Sequence, residues 1–323
     1  MGAFTVFKLK ELSPIHLGKG TDDYSSSVPT LSSDSLSSAL AAVRARQGRA
    51  EGIESFLDSF LISDAFPFAE GRLFLPKPVG RINADLIGMD EALVRKRLKR
   101  IEYVELPVWA DLLMGRRIAI SSEQISGRFL TCPSAADFDN PVIRKVSQRV
   151  AVPRNGADAN PFFFEWSYFK KDCGLFCLVK ADKDTVKELE SLFNLLGETG
   201  IGSDRSIGGG HFSVEISSVE LIEVEDPSST MILSSYLPTC EEVSNLDLPA
   251  SRYQLVSRRG FMAGSSDLNA CHYRRKDILL FRSGSLFRPS IPLGGQIVDL
   301  KPDIFTTHPV YRSGKPLCIR TKL

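Results

Sequence analysis

The chain has 323 residues, 43% hydrophobic and 24% charged, which excludes wholesale disorder and leaves room for about two domains. Its 40 Lys and Arg against 39 Asp and Glu exclude a uniformly basic nucleic-acid coat and an acidic solvating protein, but allow a basic face opposite an acidic one. No apolar run approaches the roughly 20 residues that span a bilayer, and the first residues lack a basic stretch followed by an apolar one. A cytoplasmic protein with six free thiols is therefore expected.

Ala3 to Leu9 alternates partly and predicts a first strand, ending at Ser13 to Gly20 with His16 and Lys19. After a Ser/Asp-rich loop, Asp34 is expected to cap a helix to about Gln47, with Leu36, Leu40 and Val43 on one face. Ile53 to Leu61 reads as a second amphipathic piece. Ala65 to Phe68 and Leu73 to Pro78 read as short strands whose prolines hold them at sheet edges. Asp90 to Ile101 predicts a helix with Val94, Leu98 and Ile101 inward and a solvated basic side, Arg95 to Arg100.

From Pro141 to Asn155 the chain carries Arg144, Lys145, Arg149 and Arg154 and no acid. Pro161 to Lys171 follows as a strand with Phe162, Phe164, Trp166 and Tyr168 on one face. Gly174 to Val179 predicts another strand. Asp184 or Thr185 with Glu188 predicts a capping box opening a helix that Gly197 ends. A glycine-rich loop, Gly200 to Gly210, leads into the strand His211 to Val219. Strand, helix, strands with a long insertion, helix, strand is the βαββαβ order of ferredoxin-like or RRM-like units. The sign of charge then alternates: residues 213–251 hold eight acids and no Lys or Arg, whereas Arg252 to Arg288 holds eight cations against two acids. A smaller domain rich in short strands is expected at 226–323.

The glycine loop follows a helix and opens a strand, the reverse of a Rossmann or P-loop, and lacks the Gly-Lys-Ser/Thr ending, so ATP or NAD has no support. Two readings stay open. Its backbone N–H groups, with Arg205 and His211, hold a phosphate, or the glycines serve only positive φ in a connection. The basic 141–155 segment beside an aromatic strand suits an RNA backbone with stacked bases, while an aromatic core face beneath solvated cations explains the same residues. His16 suits a general acid or base, a phosphate contact, or a local hydrogen bond. Only Cys173 and Cys177 are close, with no partner pair at zinc spacing, so neither metal nor cofactor is expected.

Several strings together resemble one family. They are Phe7 to Lys10 with Ser13 to Gly20, Ser33 to Leu40, Leu61 to Pro67 with Phe74 to Pro78, Gly200 to Phe212, and Pro309 to Lys315. In this order they are similar to the fourth subunit of the Csm complex, a RAMP-superfamily family of type III-A CRISPR effectors. His211 stands where relatives often place Arg. The resemblance implies an α+β fold of two ferredoxin-like (RRM-like) domains. Residues 1–225 would carry a β-hairpin thumb insertion at about 130–165 and the glycine-rich loop at 200–212, and residues 226–323 the β-rich second domain.

The resemblance further implies a non-catalytic subunit of an antiviral ribonucleoprotein. It would cap the crRNA 5′ repeat-derived handle and bridge the large polymerase-type subunit to the backbone subunit, meeting target RNA only indirectly and no membrane. Contacts to RNA are then expected from His16, Lys19, Ser33, Arg144, Lys145, Arg149, Arg154, Gly202, Arg205, Ser206, Gly208, Gly209, Gly210, His211 and Phe212. The alternative is a metal-independent endoribonuclease of the same superfamily, processing precursor crRNA with His16 as acid or base. The acidic stretch 213–251 is expected to face a basic surface of a neighbouring subunit.

Overall fold

The computed structural model describes residues 2–18, 24–28, 30–87, 91–134, 138–153, 158–262, 265 and 267–323. A nine-stranded sheet organises the first two thirds of the chain. Its strands include β1 (Gly2–Lys10), β2 (Phe66–Ala69), β3 (Arg72–Pro76), β4 (Tyr103–Glu105), β5 (Ile125–Ser126) and β6 (Phe129–Leu130). A separate hairpin pairs β7 (Val142–Ala151) with β8 (Asn160–Phe169). The large sheet resumes with β9 (Cys173–Lys180) and β10 (Ser213–Leu221). Its order is β10-β1-β9-β2-β3-β4-β6-β5, and Leu61–Ile62 also pairs with β9.

The helices are α1 (Ser33–Arg46), α2 (Ile53–Asp58), α3 (Glu91–Arg100), α4 (Leu106–Leu113) and α5 (Lys183–Thr199). Because side chains alternate along a strand, β1 serves two cores. Phe7 and Leu9 are buried with Leu36 and Leu40 of α1 and Leu189 and Phe193 of α5, the Phe7 and Phe193 rings stacking at 4.6 Å. Phe4 and Val6 are buried on the other side with Phe74, Trp109 and Leu112. Trp109 donates its indole N–H to the carbonyl of Pro76 at 3.0 Å, so its one polar atom is satisfied at full burial. Among the described residues no helix is long and apolar enough to cross a membrane.

Four local expectations are corrected. Pro67 lies within the sheet, opposite Leu175 of β9, but β3 pairs with β2 only at Phe68 and Ala69, so no ladder bond is lost on that side. The N-cap of α5 is Asp182, whose carboxylate accepts from the backbone N–H groups of Asp184 and Thr185, both at 2.9 Å. That helix runs past Gly197 to Thr199. Gly197 is glycine because the Phe212 carbonyl lies 2.3 Å from where a Cβ would be. Asp34 does not cap α1; the N-cap is Ser32, and Asp34 is fully buried.

Residues 226–323 build smaller pieces. β11 (Ser229–Ile232) lies between β12 (Leu286–Phe287) and β13 (Cys318–Thr321). Leu255–Arg258 pairs with Ile278–Phe281, and Ile297–Asp299 with Tyr311–Ser313. Asp34 joins this part to α1. It accepts from Arg312 Nη1 at 3.1 Å and Ser235 Oγ at 3.0 Å, and Arg258 Nε lies 3.5 Å away. Asp64 extends the junction, accepting from Ser33 N–H and Ser283 Oγ, both at 2.7 Å.

Candidate nucleic-acid interface

The glycine-rich loop is latched to the segment after β1. Ser203 N–H donates to the His16 carbonyl, and Gly210 N–H to that of Pro14, each at 3.0 Å. Ile201 N–H donates to the Gly210 carbonyl at 3.0 Å, closing the loop on itself. Gly202 (φ +92) and Gly210 (φ +70) permit this. A Cβ would lie 2.5 Å from the His16 oxygen at Gly202, and 1.9 Å from the Ile201 oxygen at Gly210. The N–H groups of Gly208, Gly209, His211 and Phe212 are also used internally. An N–H cradle spanning the loop is therefore corrected: most of these donors hold the loop itself.

What the loop offers is a short crest. Arg205 to Ile207 form a single 3₁₀ turn; Ser206, Ile207 and Gly208 are exposed, Ile207 to 68%. A Cβ on Gly208 would meet nothing within 4 Å. His211 braces the turn. Its Nε2 lies 3.3 Å from the Arg205 carbonyl, which only accepts, so Nε2 carries the proton.

The β7–β8 hairpin joins the loop through side chains. β8 bridges the segment after β1, with Ile15 and Ser167 exchanging N–H···O bonds of 3.0 and 2.9 Å. Arg149 lies over Phe164, 4.0 Å from the ring centroid, and 5.4 Å from that of Trp166. It also pairs with Asp204, next to the crest. Trp166 packs beneath Gly209. Phe164 and Trp166 thus support the loop rather than form a free stacking platform.

Three expected contacts become supports. His16 is 1% exposed; its ring packs 4.3 Å from Phe164, and Nδ1–H donates to the Glu165 carbonyl at 2.8 Å. Ser33 is buried in the α1 junction, where its Oγ accepts from Ser235 N–H at 2.8 Å. Phe212 is buried in the core beneath α5. Arg144 and Lys145 are both exposed. Their partners Ser167 and Trp166 put them on opposite hairpin faces, so only Lys145 shares the face of Arg149. Gly209 and Gly210 are buried and Gly202 is exposed. Lys19 and Arg154 lie outside the described residues.

The sequence reading missed a groove of about 900 Å³ between α1, the loop and the C-terminal part. Ala39 and Ala42 of α1, Met262 and Val310 give it apolar walls; Arg46, Arg205, Arg275 and the Asp34-paired Arg312 line it, and Glu54 is the one carboxylate among the described lining residues. Burial, then the like charge of Arg46, makes the Arg205 guanidinium easier to deprotonate than usual. Burial, then Arg312, pushes Arg275 down to about 10. Arg205 has no ion pair among the described residues, and Arg275 Nε is buried without a hydrogen-bond partner. An anion in the groove would supply Arg205 and Arg275 with the partner each lacks, near Arg46. Nothing local marks Arg46 or Arg275, because the groove exists only once distant segments meet. Among the described residues no group of three His, Cys, Asp or Glu is placed to hold a metal ion.

Residues 225–321 match the family model for the CRISPR Csm4 C-terminal domain. The chain is 30% identical over 321 residues to the CRISPR system Cms protein Csm4 of Streptococcus thermophilus, covering 95% of this chain and 96% of that protein. It is 26% identical to the Csm4 protein of Mycobacterium tuberculosis over 92% of each. Its fold is similar to a chain of a Csm1–Csm4 cassette in complex with cA4 (TM-score 0.64, 18% identity, 100% and 99% covered). It is also similar to a chain of a Csm3–Csm4 subcomplex of a type III-A CRISPR-Cas interference complex (TM-score 0.65, 15% identity, 98% and 99% covered). With near-complete coverage by a relative at 30% identity and a matching C-terminal domain, the chain belongs to the Csm4 family of CRISPR-system proteins.

Proposed function

We propose that this chain is a subunit of a type III-A effector complex that caps the 5′ handle of crRNA and bridges the large polymerase-type subunit to the backbone subunit, without cutting RNA. The observation that carries this is Arg205, raised on the loop crest beside the groove with no ion pair among the described residues. A single-stranded handle supplies what it lacks: phosphate oxygens for a guanidinium fork and a base for the apolar wall. The strand order β10-β1-β9-β2 supports a ferredoxin-like N-terminal domain, and the β7–β8 hairpin over 142–169 supports the thumb expected at about 130–165. The Csm1–Csm4 and Csm3–Csm4 structures support the two neighbours. Burial of His16, with one ring nitrogen committed to a carbonyl, weighs against it as a catalytic acid or base.

The test is fluorescence anisotropy with a repeat-derived 5′-handle RNA over a salt series. Arg205→Ala and Arg275→Ala should each weaken binding about tenfold or more, each lowering the salt slope by roughly one. Unchanged affinity and slope in both variants would overturn the reading. Incubation with repeat RNA in EDTA tests the non-catalytic part: cleavage at one position, lost in His16→Ala, would refute it.

A further inference from the structure

The large sheet ends at β10, and we propose that a neighbouring protein subunit adds a strand there through a basic extended segment. The inference rests on the chain being a subunit of a larger assembly, and it names the surface and the mode of contact.

β10 pairs with β1 through nine consecutive residues, Ser213 opposite Lys10 to Leu221 opposite Gly2, without a bulge. On its other side no strand pairs with it among the described residues. Free edges of this length are normally blunted by lysine, proline, a bulge or brevity. The β10 sequence, SVEISSVEL, has no lysine, proline or bulge; its only charges are Glu215, already engaged by Lys8 and Lys10, and Glu220. Ser213, Ser217 and Ser218 are exposed and too short to screen the backbone. Val214 and Ile216 pack against the α1–α5 core and Leu221 against the opposite one, so the edge is rigid before any partner arrives. A preformed edge lets main-chain hydrogen bonds form with little ordering on this side.

Charge selects the occupant. No Lys or Arg occurs between Arg205 and Arg252. Glu215 is already shared by Lys8 at 3.1 Å and Lys10 at 2.8 Å. Glu220 is exposed on β10, and Glu225 and Asp226 follow it, also exposed. RNA is repelled there, and a second copy would bring acidic edge to acidic edge. A strand with Lys or Arg opposite Glu220 fits.

The full chain would be co-expressed with the large and backbone subunits of its own complex, and hydrogen exchange compared free and assembled. Alternate amides within 213–221 should slow by more than about tenfold on assembly. Ser217→Lys and Glu220→Lys should each reduce recovery of one neighbour while leaving the thermal midpoint and handle-RNA affinity unchanged. Unchanged exchange in an intact complex, normal assembly of both variants, or a self-dimer that protects β10 would each overturn the edge proposal alone. Failure to assemble with either neighbour would overturn the subunit reading with it.

Discussion

Asp34→Asn tests the junction between α1 and the C-terminal part. Asn keeps an acceptor oxygen for Ser235 and removes only the charge. Arg312, 6% exposed, then lies buried beside Arg275 and Arg258 without its counter-ion. Removing one partner of a buried pair costs about 3–5 kcal/mol. With an unfolding entropy of about 2.1 cal/mol/K per residue, 323 residues give ~0.7 kcal/mol/K, so the midpoint should fall by about 4–7 °C. Burial opposes ionisation of Asp34, but Arg312 and Arg258 outweigh it and hold the carboxyl below its usual range. A lowered folded value means the contribution is complete above about pH 4 and is lost as pH falls through the folded value. The difference between wild type and variant should therefore shrink in acid. Urea denaturation at several pH values, with an Arg312→Met double-mutant cycle, reads both effects. A loss under about 1 kcal/mol at pH 7, or no coupling between the two positions, would refute the reasoning.

Gly210→Ala should cost about 2–4 kcal/mol, because a Cβ 1.9 Å from the Ile201 oxygen breaks the loop's own bonds, whereas Gly208→Ala, with nothing within 4 Å, should cost about 1–2 kcal/mol for its left-handed backbone. Equal losses in denaturation curves would contradict the latch. Asp64→Asn should act with the opposite pH sign to Asp34→Asn. Burial, only partly offset by Ser283 and Ser33, raises the Asp64 carboxyl, so the folded state loses stability as pH rises through the usual Asp range. The substitution should help more at pH 7 than at pH 4, and the reverse order in urea midpoints would sink that account.

The elements legible in the sequence are those that carry their own period. β1 alternates, α5 repeats Val186, Leu189, Phe193 and Leu196, and the glycine run marks its own loop. The α5 N-cap, read at Asp184 or Thr185, is Asp182, because any short acidic side chain near a helix start competes for the same N–H groups. Asp34 was open to the same local rule, but guanidinium groups from Arg258 and Arg312 claim it in the fold. The alternation of Phe162, Phe164, Trp166 and Tyr168 marks a strand equally well for a core, a stacking platform or a support. Only the position of Arg149 and Gly209 over those rings decides among them. Arg46 and Arg275 read as ordinary cations, since neither has a local pattern that reports the groove.

The use of the loop's N–H groups bears on how a ligand would be held. A phosphate nest depends on several free, converging backbone donors, and here the donors at Ile201, Ser203, Gly208, Gly209 and Gly210 are bonded within the protein. The glycines therefore work sterically. They let the chain pass against Pro14 and His16 and raise Arg205 at the groove, while Ser33, Asp34 and Asp64 fix the facing wall through α1. On the proposed function, recognition would fall to guanidinium side chains on two walls that separate covalent stretches supply. Anything that loosens the Asp34 junction should weaken anion binding without touching a binding residue, because it lets Arg275 move away from Arg205.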